Sequence, residues 1–307
     1  MTPVRRLLIA IAQVCVLACV LGSPALAEEA RCPRWPAASI QPSPTTLEGA
    51  SSYAYKTVAG GDLRLHLLRA PGAKPSAHRQ PVLVMIYGGG WMGGAVDMLM
   101  PTAGHIVGQG GVVILVDYRT YCRNGANVGD EVSDAKDAIR WIRRHAHELG
   151  VDPHRIAVSG GSSGGHLAAS AAVFADTDAD GISSRPDLLL LWYPCVDLTN
   201  EYEKGSAKAL AQYGRDLSPL YHVRRGLPPI YLFEGSLDPL VTENRRFCDE
   251  ARAKGDRCQW TLYEGAQHGF FYAQADPPSP WYQVALKAMD ETLIREGYLP
   301  ARPPGLG

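Results

Sequence analysis

The chain predicts an α/β fold in which a mostly parallel central sheet carries helices on both faces. Three observations carry that prediction. Apolar strand-like runs alternate with helix-compatible segments over most of the 307 residues, the rhythm of parallel strands joined by crossover helices. One crossover helix is well marked in residues 131–149, where Val132, Ala135, Ala138, Ile139, Ile142 and Leu149 fall on a single stripe and Gly150 follows as a stop. A glycine-rich turn, Gly160-Gly161-Ser162-Ser163-Gly164, joins the strand-like run Arg155-Ile156-Ala157-Val158 to the small-residue helix His166 to Ala172.

The elements follow in order from the N-terminus. Arg5-Arg6 precede an apolar run from Leu7 to Leu21, and Ala25-Leu26-Ala27 supplies small residues for cleavage. This is the layout of a secretory signal, so residues 1–27 are expected to be removed and the mature chain to be periplasmic or secreted. The apolar run is shorter than the roughly 20 residues of a spanning helix, so no stable membrane insertion is expected afterwards. A lipoprotein anchored through Cys19 is the competing reading. Residues 28–49 are a proline-rich, extended lead-in, 50–297 one catalytic domain, and 298–307 a mobile tail. The run Pro81 to Tyr87 is a buried strand entering Gly88-Gly89-Gly90-Trp91, and Asp152-Pro153 turns the chain from the striped helix into the next strand. Trp141 lies off the helical stripe and is expected half-exposed. Arg143, Arg144, His145 and His147 read as a solvated face. The runs Leu188 to Tyr193, Pro229 to Gly235 and Trp260 to Glu264 complete the strand series.

Ser162 lies where a sharp strand-to-helix turn forces a side chain outward, with glycines leaving room for the two elements to close around it. The turn aims the Ser163 N–H, at a helix N-terminus, toward a developing oxyanion. The triple glycine after the 81–87 strand supplies further backbone donors. Together Tyr87 to Trp91, Val116-Asp117-Tyr118-Arg119 and Gly160 to Gly165 resemble the α/β-hydrolase superfamily, in its hormone-sensitive-lipase-like and acetylesterase or feruloyl-esterase-like branch. The likeness spans about residues 50–297. It implies an α/β-hydrolase fold and a serine carboxylesterase activity, with Gly89 and Gly90 as oxyanion donors beside Ser163. Two positions depart from the branch: Tyr87 replaces its usual histidine, and Gly161 stands where aspartate is common.

A serine nucleophile needs a base, and the base an orienting acid. Asp238 lies three residues past the strand 229–235, and His268 four past 260–264. The order Ser162, Asp238, His268 is that of this superfamily. Asp197, one strand earlier, is the competing acid. His166 is expected to pack behind the elbow. No metal-ligand spacing appears, and neither a metal nor a cofactor is expected.

The formal charge is −1, and loss of Arg5 and Arg6 with the signal leaves about −3, with charges interspersed along the chain. That excludes a nucleic-acid partner. Five cysteines remain in the mature chain, allowing up to two disulfides and a free thiol; Cys248 with Cys258 is the expected bridge. Trp91, Trp192 and Phe270 are candidate pocket walls. The few apolar residues between Tyr193 and Pro229, Leu210, Leu217, Leu220 and Tyr221, allow one or two short helices, a small or absent lid, which favours short-acyl esters, while aromatic walls and secretion suit carbohydrate-linked ones. A peptidase of the prolyl-oligopeptidase type, or a binding protein on a retired hydrolase scaffold, is the alternative. The oligomeric state has no signal in the sequence.

Overall fold

The computed structural model describes residues 32, 43–70, 72, 79–176, 180–199, 213–273 and 279–301. The expected signal segment with Cys19, the lid residue Leu210 and residues 302–307 of the expected tail lie outside them.

The chain enters through a hairpin, β1 (Ala50–Val58) against β2 (Gly61–Leu68), paired antiparallel. β3 (Gln80–Ile86) follows, then α1 (Met100–Gly108), β4 (Val113–Val116), the short α2 (Tyr121–Asn124), α3 (Val128–Arg144) and α4 (Ala146–Leu149). β5 (Val151–Gly161) runs into α5 (Ser163–Val173). β6 (Leu188–Trp192), β7 (Ile230–Gly235), α6 (Val241–Ala253), β8 (Cys258–Tyr263) and α7 (Tyr282–Arg295) complete the order. The described residues form one eight-stranded sheet, β1-β2-β4-β3-β5-β6-β7-β8, in which β2 pairs antiparallel with β4 and every later pair is parallel. The central strands read Val-Ile-Leu-Val in β4 and Leu-Leu-Leu-Leu-Trp in β6, buried throughout, as strands covered on both faces must be.

α3 starts on a reciprocal cap: Asp130 N donates to Asn127 Oδ1 and Asn127 N to Asp130 Oδ2, both at 3.0 Å. The expected stripe from Val132 to Ile142 is buried, as is Leu149, and Trp141 is half-buried. The single helix expected over 131–149 is two, broken at His145, whose ring stacks on Trp141 with centroids 3.9 Å apart. Arg143 departs from the expected solvated face. Its guanidinium donates to the carbonyls of Pro153 (2.8 Å), Arg185 (2.9 Å) and Ser183, so it fastens the loops at the lower edge of β5 and β6.

Among the described residues two disulfides close the fold. Cys248–Cys258 ties α6 to β8 as expected, and Cys32–Cys122 ties the lead-in to α2 across 90 residues, leaving Cys195 as a buried thiol. The expected boundary of the tail moves: Leu299 is a core residue and Arg155 lies over the Tyr298 ring, because the turn after α7 folds back onto it through Tyr298 N and Leu299 N bonds to Leu293 O. Among the described residues no helix is long and apolar enough to cross a membrane, and no group of three or more His, Cys, Asp or Glu is arranged to hold a metal.

Candidate active site

Ser162 occupies the turn from β5 to α5 at φ 55, ψ −125, a region that costs a non-glycine residue on the order of 1–3 kcal/mol. The surroundings hold it there. Ser162 N donates to Trp192 O at 3.0 Å, and Ser162 O accepts from His166 N (3.0 Å) and Cys195 N (3.2 Å). Both backbone groups of the strained residue are thus fixed by β6 and its exit. Gly164 lets α5 cross under the β3 exit: a Cβ there would sit 2.3 Å from Ile86 O. At Gly161 a Cβ would meet the Tyr193 ring at 3.1 Å, so the space that the branch's aspartate would need is filled by tyrosine.

The turn after β7 carries Asp238 and the loop after β8 carries His268, and the structure brings both to the elbow. Ser162 Oγ and His268 Nε2 are 2.9 Å apart, and His268 Nδ1 and Asp238 Oδ2 are 2.7 Å apart. The second Asp238 oxygen accepts from Leu240 N at 2.9 Å, and the carboxylate is buried. Asp197 faces elsewhere: it accepts from Thr199 Oγ1 (2.6 Å) and Tyr221 OH (2.9 Å). Cys195, which gave no signal of a role, lies with Sγ 3.8 Å from Ser162 Oγ.

The glycine loop rests against the elbow. Met92 N and Gly93 N both donate to Gly89 O, so Gly90 (φ 59) and Trp91 (φ 61) form the tip of a tight turn. Gly89 N donates to Ser163 Oγ at 3.0 Å, and Gly88 N to Tyr272 OH at 2.7 Å. Gly89 thus lies beside Ser163 as the resemblance implies, with its N–H engaged by the serine hydroxyl. Burial pushes the Tyr272 phenol up to about 12, so it stays a neutral acceptor and donor.

Tyr87 anchors this loop where the branch has histidine. Its hydroxyl donates to Asp117 Oδ1 (3.0 Å) and accepts from Arg123 Nη2 (2.8 Å), and its ring stacks on Tyr118 with centroids 4.3 Å apart. Tyr118 OH in turn donates to Tyr87 O at 2.8 Å. Arg123 comes from α2, whose first two N–H groups bind Trp91 O and Met92 O. Ser43, from the lead-in, bonds both Asp117 and Arg123. Of this network the sequence marks Tyr87 and the 116–119 run; Ser43 and Arg123 carry no sequence signal.

The aromatic wall expected from Trp91, Trp192 and Phe270 is core instead. Trp192 is sandwiched between Phe233 and Phe271 at 4.1 and 4.0 Å, Phe270 packs on Tyr193, and Trp91 Nε1 donates to His166 Nδ1 at 3.3 Å. All three are almost wholly buried, because a large ring gains most when its whole apolar area is packed against other side chains.

His166 packs behind the elbow as expected, and its bonds fix its protonation. Nε2 donates to Leu217 O at 2.7 Å while Nδ1 accepts from Trp91, so a second proton would face an N–H. Burial pulls its pKa down to about 4. In the unfolded chain histidine titrates near 6.5. Below that pH the unfolded state binds the extra proton and the folded state does not, so stability falls from about pH 6.5 to about pH 4 and levels off beneath. The expected loss is roughly 3 kcal/mol across that window. Urea unfolding of wild type and His166→Gln between pH 7 and 4 checks it; equal slopes in the two proteins would contradict the assignment.

Comparison with known proteins follows the same lines. The chain is 33% identical over 218 residues to the carboxylesterase NlhH of Mycobacterium tuberculosis, covering 62% of this chain and 66% of that one. It is 29% identical over 195 residues to the probable carboxylic ester hydrolase LipM of the same organism, of which it spans 45%. Among solved structures, an esterase of Thermogutta terrifontis superposes with TM-score 0.73 in its propionate-bound form and 0.74 in its butyrate-bound form, at 36% and 35% identity, each covering 83% of this chain and 97% of that one. Residues 83–272, more than half of the sequence and the stretch from β3 to Tyr272 that contains Ser162, Asp238 and His268, match the alpha/beta hydrolase fold family, to which the chain belongs.

Proposed function

We propose that the protein is a serine carboxylesterase that cleaves short-acyl or carbohydrate-linked esters through a covalent acyl-enzyme. The observation that carries this reading is the continuous chain of bonds from Ser162 Oγ through His268 to the buried Asp238. In the reaction His268 Nε2 takes the Ser162 proton as Oγ attacks the ester carbonyl, then gives it to the departing alcohol. Asp238 fixes the Nδ1–H tautomer and stabilises the imidazolium. Water repeats the sequence on the acyl-enzyme and releases the acid. The N–H groups of Gly89, Gly90 and Ser163 hold the oxyanion; a charged oxygen is a stronger acceptor than the Ser163 hydroxyl on which Gly89 N now rests.

Short acyl groups are favoured by the propionate and butyrate held by the related esterase, and by the short turns Gly214–Leu217 and Pro219–His222 in the described part of the lid region. Export to an oxidising compartment is supported by the two disulfides together with the N-terminal charge and apolar pattern. Hydrolysis of p-nitrophenyl esters from acetate to palmitate tests the reading. Turnover is expected to be highest at acetate to butyrate and to fall with longer chains. Cleavage of peptide p-nitroanilides without ester turnover would establish the peptidase, and no turnover of either in folded protein would establish the binding role.

A further inference from the structure

Of the three glycines in the 88–90 run, Gly88 is the one without a place in the oxyanion hole, and its neighbours show what it does instead. A Cβ on Gly88 would lie 2.6 Å from Gly161 O, 2.7 Å from Tyr272 OH and 3.2 Å from Ser162 Cβ. The backbone is thus wedged between the elbow and a tyrosine hydroxyl, where no side chain fits. Gly88 N donates to that hydroxyl at 2.7 Å. Tyr272 is half-buried, with its ring 6.4 Å from that of Tyr193, which in turn packs T-shaped against the His268 ring at 4.9 Å. It comes from the loop that carries the base: directly after His268, Tyr272 N donates to Gly269 O at 3.0 Å across a turn with Gly269 at φ 85. One tight turn therefore follows the group that takes the Ser162 proton and presents the group that holds the glycine loop.

We propose that Tyr272 is a positioning residue whose hydroxyl, by accepting the Gly88 N–H, fixes the glycine loop in register with the His268 loop so that Gly89 N and Gly90 N meet the oxyanion. The proposal rests on the serine-esterase reading above and deepens it. Three successive glycines have no side chains to pack and little stiffness of their own, so the loop takes its order from bonds to its surroundings. The Gly89 N–H gives up Ser163 Oγ for the oxyanion during the reaction. Gly88 N keeps its partner throughout, because the Tyr272 hydroxyl takes no part in the chemistry. Tyr272 acts through the aim of the donors and not through contact with substrate, so its contribution falls on kcat and not on KM.

The test uses p-nitrophenyl acetate with the full mature chain. Tyr272→Phe removes one oxygen and leaves the ring beside Tyr193, and is expected to lower kcat about five- to tenfold at unchanged KM, the worth of one neutral hydrogen bond. A trifluoromethyl ketone reports on the hole directly: Ser162 Oγ adds to its carbonyl carbon, the serine proton passes to His268, and the resulting oxyanion sits on the same N–H groups. Its affinity is expected to fall by the same factor as kcat/KM. The inflection of the kcat/KM pH profile is expected to stay in place, since the bond between His268 and Asp238 is untouched. Amide hydrogen exchange gives a readout that needs no turnover. The Gly88 N–H is expected to be protected in wild type and to exchange at least about tenfold faster in Tyr272→Phe, with the elbow from Gly160 to Gly165 unchanged. A raised KM at wild-type kcat would make the hydroxyl a substrate contact, a moved inflection would make it act on the base, and wild-type ketone affinity or equal Gly88 exchange in the two proteins would make the bond idle; each overturns the proposal. Ser162→Ala separates the two levels: turnover surviving in it removes the esterase reading itself, while the protection of Gly88 stands or falls independently.

Discussion

Ser162→Ala is expected to lower kcat for p-nitrophenyl acetate on the order of 10^6-fold, with KM little changed, as removal of the nucleophile does in a serine hydrolase. Ser162→Gly is expected to be equally inactive yet more stable. The two substitutions delete the same hydroxyl and the same bond to His268. They differ at the backbone: at φ 55, ψ −125 alanine keeps the strain of serine, while glycine adopts that conformation freely. Relief of about 1–3 kcal/mol of strain, less the 0.5–1 kcal/mol or so of extra entropy that glycine loses on folding, leaves Ser162→Gly about 1 kcal/mol above Ser162→Ala. In a domain of this size that is about 2 °C in Tm. The bonds from Trp192, Cys195 and His166 hold the turn identically in both, so a calorimetric comparison isolates the strain. Residual ester turnover in alanine above a few parts in 10^4 of wild type would remove Ser162 as nucleophile. Equal melting temperatures would show that the elbow stores no strain.

The elbow and its partners were legible because each lies at a chemically marked place. Ser162 is framed by glycines after a strand, and Asp238 and His268 each follow the glycine-bearing end of an apolar run; the chain order then limits the choices. The Cys248–Cys258 bridge was legible because its partners flank one short turn, whereas Cys32–Cys122 joins segments 90 residues apart with no local mark. The β1–β2 hairpin went unnoticed since its first strand is half-exposed at the sheet edge and lacks an apolar run. Arg143 was misread for a related reason: an arginine that clamps carbonyls has the same sequence appearance as one in water. Trp91, Trp192 and Phe270 were expected as pocket walls, but an aromatic ring has the same sequence appearance whether it faces a cleft or packs on its neighbours. Tyr272 and Arg123 were invisible for want of any pattern, because their polar contacts are decided by residues distant in the chain.

Arg123 carries the second large expectation. Its guanidinium, almost wholly buried, bonds Asp117 Oδ1 (3.0 Å), Tyr87 OH (2.8 Å), Ser43 Oγ (2.7 Å) and Tyr118 O. Burial works against its charge, but the Tyr87 and Asp117 contacts outweigh it and hold its pKa above the ordinary arginine value. Arg123→Met leaves Asp117 buried with hydroxyl partners and no cation, which is expected to cost about 3–5 kcal/mol of stability. Activity is expected to fall with it, because the same guanidinium fixes the Tyr87 hydroxyl at the root of the glycine loop, and α2 holds the far side of that loop through Trp91 O and Met92 O. A loop loosened by a fraction of an ångström loses aim at the oxyanion and so loses kcat rather than substrate affinity. Replacing both charged partners removes the stranded anion, so Arg123→Met with Asp117→Asn is expected to recover at least half of the lost stability while its kcat stays low, since Tyr87 remains without its arginine. Urea unfolding and steady-state kinetics on the single and paired variants read the two effects separately. A loss under about 1 kcal/mol in Arg123→Met would place the pair among weak surface contacts, and full recovery of kcat in the paired variant would show that the loop draws its order from the Tyr87–Tyr118 stack and not from the arginine.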